Sequence, residues 1–457
     1  MTRTFRLSVV AAALSCTVAT PVFAQDVTVT AEELATMRAQ LQAMNARIDQ
    51  LEGELAAAKA ANDAQDATLA AQAEAVAAIP APEPATTKIT FKGAPEIKGE
   101  NGWSFKPRGR LQYDAGFVSA PDSTGRDDGF GNDVRRARLG VQGDMPGGFG
   151  YKFEIDFANS DVAVTDAIIG YEDGDLEVSV GQFNNFQSLE ELTSSLHTSF
   201  IERAAFTDAF NFVRRVGVGV QLTPGDLLLQ AGVFSDNMDD LPSDSWSVDG
   251  RAVYMPKLGD AQLHLGASAH YREYDPGNTV RFRQRPLVAF TSERFINTGN
   301  FDADSETAFG LEGAFISGPF HAAAEGYWLN VDTPMVAGNP TFFGGYAEIG
   351  YFLTKGDTRG YKGGTFDRTK PANPVGKGGM GSVQINARYD RLDLSDAGIV
   401  GGTQNGYYLS LAWKPTDYTM LLANYGKLDY SGAIYPTATG DRDYAVDVVG
   451  VRAQVDF

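Results

Sequence analysis

A two-residue period organises most of this chain. From Tyr444 to Phe457, the residues Ala445, Val449, Val451, Ala453, Val455 and Phe457 fall on odd positions, while Gly450, Arg452, Gln454 and Asp456 fall on even ones. Side chains alternate across a strand, so one face of this segment is apolar and the other small or charged. The period returns from Trp103 onward. Phe105, Leu111, Tyr113, Ala115 and Phe117 share one face of a first strand, against Lys106, Arg108, Arg110, Gln112 and Asp114. Ala137, Leu139 and Val141 oppose Arg136, Arg138 and Gln142 in a second, and Tyr151, Phe153, Ile155 and Phe157 oppose Lys152, Glu154 and Asp156 in a third. A soluble sandwich buries such an apolar face against another sheet. A transmembrane barrel turns it to lipid and lines a wet interior with the charges.

The connections favour the barrel. Compact turns stand at Met145–Gly148, Glu172–Asp175, Pro224–Asp226, Pro256–Asp260, Ser317–Pro319 and Lys414–Asp417. They contain the Gly, Pro and Asp that tight turns use. Longer connections alternate with them, at about 119–132, 184–213, 236–244, 272–304, 331–341, 393–404 and 431–441. Short turns on one rim and long loops on the other are the outer-membrane arrangement, and the breaks divide the chain into about 16 strands. The expected fold is all-β, a 16-stranded antiparallel transmembrane β-barrel over residues 91–457. One connection breaks the scheme. Lys355–Met380 is long and Gly-rich, with Arg359, Lys362, Arg368, Lys370 and Lys377, yet it falls on the compact-turn rim. Either the strand count slips there or a basic segment folds back toward the lumen.

Open strand edges are costly in lipid, where unpaired backbone groups find no water. The first and last strands must therefore pair. This places Arg452 beside Arg108 and Arg110, with Arg136 and Arg138 on the next strand: a sector of five inward arginines.

The segment before the barrel reads differently. Residues 1–24 form a signal peptide, with Arg3 and Arg6, an apolar run from Leu7 to Ala19 and the cleavage site Val22-Phe23-Ala24. In 30–79, Leu34, Leu41, Ile48, Leu55, Leu69 and Val76 fall on one seven-residue repeat, and Met37, Met44, Leu51, Ala58 and Ile79 follow members of that series by three. This is the a/d pattern of an N-terminal α-helical coiled coil, weaker after Ala58, and its apolar seam implies oligomerisation. Pro80, Pro82 and Pro84 make 80–90 a stiff linker.

Composition closes off several function classes. The single cysteine, Cys16, lies in the leader, so the mature chain carries no thiol chemistry. The formal charge is −20, and losing Arg3 and Arg6 with the leader makes it −22, which argues against nucleic-acid binding. Hydrolase, metalloprotease and phosphate-loop motifs are missing from the sequence, and it points to no enzyme, cofactor or metal.

The chain resembles the phosphate-selective porin O and P family of Gram-negative outer membranes. The resemblance rests on Gly102-Trp-Ser-Phe-Lys-Pro-Arg-Gly-Arg-Leu-Gln-Tyr113, Val134-Arg-Arg-Ala-Arg-Leu-Gly140, Arg281-Phe-Arg-Gln-Arg-Pro286, Asp302-Ala-Asp-Ser305, Gly318-Pro-Phe320 and Tyr351-Phe-Leu-Thr-Lys-Gly356, taken in order. It implies a homotrimer in the outer membrane, in contact with its lipid, and a terminal aromatic, here Phe457, that the barrel assembly machinery reads. It also implies pores narrowed by inward-folded loops and a periplasmic turn, for which 184–213, 272–304 and 355–380 are the counterparts. Arginines and lysines would guide small anions such as phosphate.

Arg and Lys fit that role, since guanidinium forks match phosphate oxygens and basic rings favour anions. The anion-guiding candidates are Arg108, Arg110, Arg136, Arg138 and Arg452, and the constriction-loop candidates are Arg214, Arg215, Arg281, Arg283 and Arg285. Leu189–Phe200 reads as a short helix in the first long loop, and Phe206, Phe210 and Phe212 as its apolar anchors. The acidic charge is the departure from the family pattern. It leaves open a general or cation-preferring porin, and a structural tether whose periplasmic coiled coil reaches the cell wall.

Overall fold

A computed structural model describes residues 30–77, 87–126, 129–158, 162–240, 245–336 and 338–457. The leader and most of the Pro-rich linker lie outside the described residues. The helix α1, Ala31–Ala77, is continuous over 47 residues, about 70 Å. Ala, Glu and Gln dominate it, all good helix formers. Thr30 caps its start, exchanging hydrogen bonds with Glu33 through both its backbone N–H and its hydroxyl. The seam residues from Leu34 to Leu55 and Leu69 are all exposed. This helix belongs to one compact unit and Thr86–Phe457 to another.

The second unit is a closed barrel of sixteen antiparallel strands. They are β1 (Ser104–Ser119), β2 (Gly129–Asp144), β3 (Phe149–Asp156), β4 (Ala163–Asp173), β5 (Leu176–Asn184), β6 (Arg214–Leu222), β7 (Leu227–Phe234) and β8 (Trp246–Tyr254). Then come β9 (Ala261–Glu273), β10 (Ser305–Ser317), β11 (Phe320–Asp332), β12 (Thr341–Phe352), β13 (Ser382–Asp396), β14 (Ile399–Thr416), β15 (Thr419–Ser431) and β16 (Tyr444–Asp456). Each pairs with its sequence neighbour. Leu111, Tyr113 and Phe117 face outward and are exposed, while Gln112 and Asp114 between them are fully buried. A small hairpin, Lys88–Lys92 with Ala94–Lys98, precedes β1 and pairs with its first residues.

β16 closes the ring on β1, and the seam corrects the expected register. Asp456 stands opposite Arg110 and Arg452 opposite Asp114, so Arg452 does not sit beside Arg108 and Arg110. Phe457 continues this register past Asp456. Phe457 and Gly109 exchange backbone hydrogen bonds of 3.0 and 3.1 Å, and the phenyl ring lies where a side chain at Gly109 would project.

The compact turns all open on one rim with Phe457. The 353–381 connection lies there too, so the strand count does not slip. Its hairpin, Gly360–Lys362 with Thr365–Asp367, folds into the lumen, where Phe366 is buried. The expected long loop at 393–404 is instead a tight hairpin through Ala397 and Gly398, both at positive φ (50° and 92°). The strands continue through that stretch because this two-residue turn matches their twist.

Candidate functional site

Three segments fill part of the lumen: 185–213, 274–304 and 353–381. In the first, α2 spans only Leu189–Leu192, shorter than the helix expected over 189–200. Thr193 to Ser199 is rich in hydroxyl side chains, which compete with helical backbone bonding. The freed carbonyls are taken by the wall: Gln112 donates to Ser195 O (3.0 Å), and Ser410 to Ser199 O (2.6 Å). A second short helix, α3 (Ala205–Ala209), carries Phe206. That ring stacks on Tyr327 at 5.8 Å and on Tyr346 at 6.5 Å. Phe206 and Phe210 are buried and Phe212 packs against them, so the loop is held by apolar contact as the sequence suggested.

Polar anchors reinforce it. The N–H groups of Leu189 and Glu190 donate to the Glu325 carboxylate at 2.9 and 2.7 Å. Ile201 N–H donates to Asn424 and Ala205 N–H to Asp390, at 2.9 and 2.8 Å. Arg359, on the returning segment, donates to Ser199 Oγ at 2.9 Å and to the carbonyl of His197. His197 Nε2 lies 3.6 Å from Asp367. Burial, with Lys414 and Arg368 nearby, outweighs that carboxylate and pushes the imidazole pKa down to about 2.

Between the β1–β6 wall and the loops lies a cavity of about 560 Å³. Nine cationic side chains line it: Arg108, Arg110, Arg135, Arg136, Arg138 and Lys152 from β1–β3, with Arg203, Arg214 and Arg285 around them. Five acidic ones do so as well: Asp166, Glu191, Glu202, Asp208 and Asp239. The lining thus carries a formal charge of +4 within a strongly acidic chain.

Many of these cations are paired. Glu154 stands 3.3 Å from Arg110 and 3.1 Å from Arg138, and Asp156 is 2.7 Å from Arg138. Asp166 holds Lys152 at 2.6 Å and Arg214 at 2.7 Å. Arg108 donates to Gln142 at 2.5 Å and Arg136 to Gln112 at 3.0 Å. Among the described residues, no carboxylate lies within ion-pair distance of either.

Of the sequence candidates, Arg108, Arg110, Arg136, Arg138, Arg214 and Arg285 therefore meet around one space. The others do not line it. Arg452 is 2% exposed, forked onto Asp114 by two 2.7 Å bonds, and 3.2 Å from Glu202. Arg215 pairs with Asp236 at 3.2 Å. Arg281 donates to Asn297 at 2.9 Å, and both Arg281 and Arg283 are exposed.

Arg135 is the residue that alternation misplaces. A bulge between the pairs Gln112–Arg136 and Tyr113–Val134 inserts it as an extra residue, so it and Arg136 both reach inward. Its guanidinium forks onto Glu202 at 2.7 and 3.1 Å. Three arginines within Arg135-Arg-Ala-Arg138 were the available signal, because an arginine facing lipid at mid-membrane costs about 2–4 kcal/mol. Burial pushes the Glu202 carboxyl up, but Arg135 and Arg136 outweigh it and hold the group well below the usual carboxylate range.

Comparison with known proteins fits this geometry. The family described as phosphate-selective porin O and P matches residues 105–457. An uncharacterized protein of Caulobacter vibrioides is 46% identical over 447 residues, covering 93% of this chain and 89% of that one. Porin O of Pseudomonas aeruginosa is 28% identical over 408 residues, covering 79% and 91%. Among solved structures, the anion-selective porin from Comamonas acidovorans aligns with a TM-score of 0.51 at 12% identity, covering 78% of this chain and all of that one. The trimer form of Vibrio cholerae OmpT aligns with a TM-score of 0.50 at 14% identity, with the same coverage. The two solved structures speak to the fold; the match over 105–457 assigns the chain to the phosphate-selective porin O and P family, as an outer-membrane porin.

Proposed function

We propose that this porin passes small anions in preference to cations, with phosphate-like oxyanions as the favoured class. The observation that carries this reading is the excess of nine cations over five acids around the 560 Å³ cavity. Basic side chains ringing a narrow aqueous passage favour anions. Arg108 and Arg136 carry the field most directly, because among the described residues only amide oxygens accept from them. The chain's acidity does not oppose this, since many inward carboxylates are spent on loop backbone and buried arginines. Selectivity follows the charge at the narrowest water, not the net charge of the chain.

The test is the reversal potential of purified protein in a planar bilayer under a salt gradient. An anion-selective potential supports the reading. A cation-selective one overturns it and makes a general or cation-preferring pore the better account.

We further propose a homotrimer in which three copies of α1 pair through the exposed seam in the periplasm. The seam supports it, because water-exposed heptads gain by association. Vibrio cholerae OmpT, similar in fold, is described as a trimer. Assembly through Phe457 and a reach toward the cell wall belong to the same proposal. Deleting residues 30–79 separates the roles: a porin keeps conducting, whereas a tether loses envelope attachment.

A further inference from the structure

Glu202 is a carboxylate in the wall of a passage dominated by cations. It lies on the loop between β5 and β6, and its two oxygens accept from Arg135 Nε and a terminal nitrogen at 2.7 and 3.1 Å. The first oxygen is also 3.2 Å from Arg452. A guanidinium fork presents the same two donors to a carboxylate as to two oxygens of a phosphate. Glu202 therefore fills the fork of Arg135 that a passing oxyanion would otherwise use.

The loop does not depend on this ion pair for its position. Ile201 N–H, on one side, donates to Asn424 at 2.9 Å. Ala205 N–H, on the other, donates to Asp390 at 2.8 Å. The backbone is pinned on both flanks, and the carboxylate is an addition to a loop already held.

A pore must bind its solute well enough to admit it and weakly enough to release it. Resting on the anion reading above, we propose that Glu202 is a tethered counter-anion, a specificity-determining residue that competes with the transiting oxyanion for Arg135 and so sets its affinity. When an oxyanion enters, Arg135 exchanges one pair of oxygens for another. When it leaves, Glu202 returns, and the guanidinium is never left bare.

The test is inhibition of chloride current by inorganic phosphate in planar bilayers, with E202Q, E202D, R135Q and E202Q/R135Q. E202Q is expected to lower the half-blocking phosphate concentration by roughly tenfold, the size expected when one screened unit charge beside the anion is removed. E202D keeps the charge and is expected to stay near the wild-type value. The double variant is expected to return most of the way to wild type, because the freed guanidinium is gone. The proposal is overturned if E202Q matches wild type, if E202D behaves like E202Q and so reports loop displacement, or if the double variant keeps the E202Q value. A cation-selective wild type overturns the anion reading and this proposal together. An anion-selective wild type with an unmoved E202Q overturns this one alone.

Discussion

The two sides of the lumen put the same side-chain chemistry to opposite uses. Along β10–β15, inward carboxylates meet loop backbone and buried arginine: Glu325 accepts from Leu189 and Glu190, Asp390 from Ala205, and Glu348 lies 2.7 Å from Arg388, which the loop's own Glu190 also meets at 2.7 Å. These groups are spent on holding the loop in place. Along β1–β5, cations outnumber acids and face open space. Inward polarity is therefore a raw material. A loop laid over it turns it into adhesive, and its absence leaves a filter. This is how an acidic chain comes to hold a basic aperture.

Mutations break the comparison in order of expected effect. The largest comes from uncovering the sealed side. A side chain at Gly344 would start 2.2 Å from Phe206 Cβ, so Gly344→Phe should expel the 185–213 loop. Single-channel conductance is then expected to rise severalfold and ion preference to fall. Unchanged conductance in a folded variant would show that this loop does not narrow the pore.

The second effect acts on the open side. R108E/R136E takes the lining from +4 to neutral, since each reversal removes two charges. The reversal potential should collapse toward zero while conductance stays of the same order. A retained anion potential would move the filter elsewhere.

A smaller effect tests the adhesive. Glu325→Gln keeps one acceptor oxygen for the two loop N–H groups and turns an NH2 toward the other, at a cost of about 1–3 kcal/mol. Faster hydrogen exchange at Leu189–Leu192 is expected, with ion preference intact. Exchange as slow as in wild type would assign the anchoring to the aromatic contacts around Phe206.

The smallest is a pH effect. His197 is held neutral, its pKa about 2 against an ordinary 6.5. Its contribution is complete above pH 6.5 and is lost as pH falls from there toward 2, because the released loop binds the proton and the packed loop does not. By pH 5 this amounts to at most about 2 kcal/mol. His197→Gln should make loop protection, measured by hydrogen exchange corrected for intrinsic rates, less sensitive to that acidification.

The barrel was legible because lipid enforces period two: Leu111, Tyr113 and Phe117 on β1 have no other place to go. Strand parity also put 355–380 on the right rim, and its basic residues hinted at an inward fold. Three things escaped the pattern. The bulge at Arg135 changes which face a residue takes without changing composition. The register of Arg452, opposite Asp114, is a pairing that period cannot express. Val446 and Val448 face inward although apolar, because loops cover them, and only the packed lumen explains that. Six of ten candidate arginines gathered at one cavity, five of them on strands of the open wall and Arg285 on the loop facing it.

The seam between β1 and β16 has a consequence for biogenesis. The ion pair of Arg452 with Asp114 joins residues 338 apart, the farthest ends of the sheet. Bringing such distant partners together carries a large chain entropy, and it cannot happen until β16 has been delivered. The backbone exchange between Phe457 and Gly109 adds a further rung to that closure. Without β16 the edge of β1 stays unsatisfied, and the bilayer has no water to offer that edge.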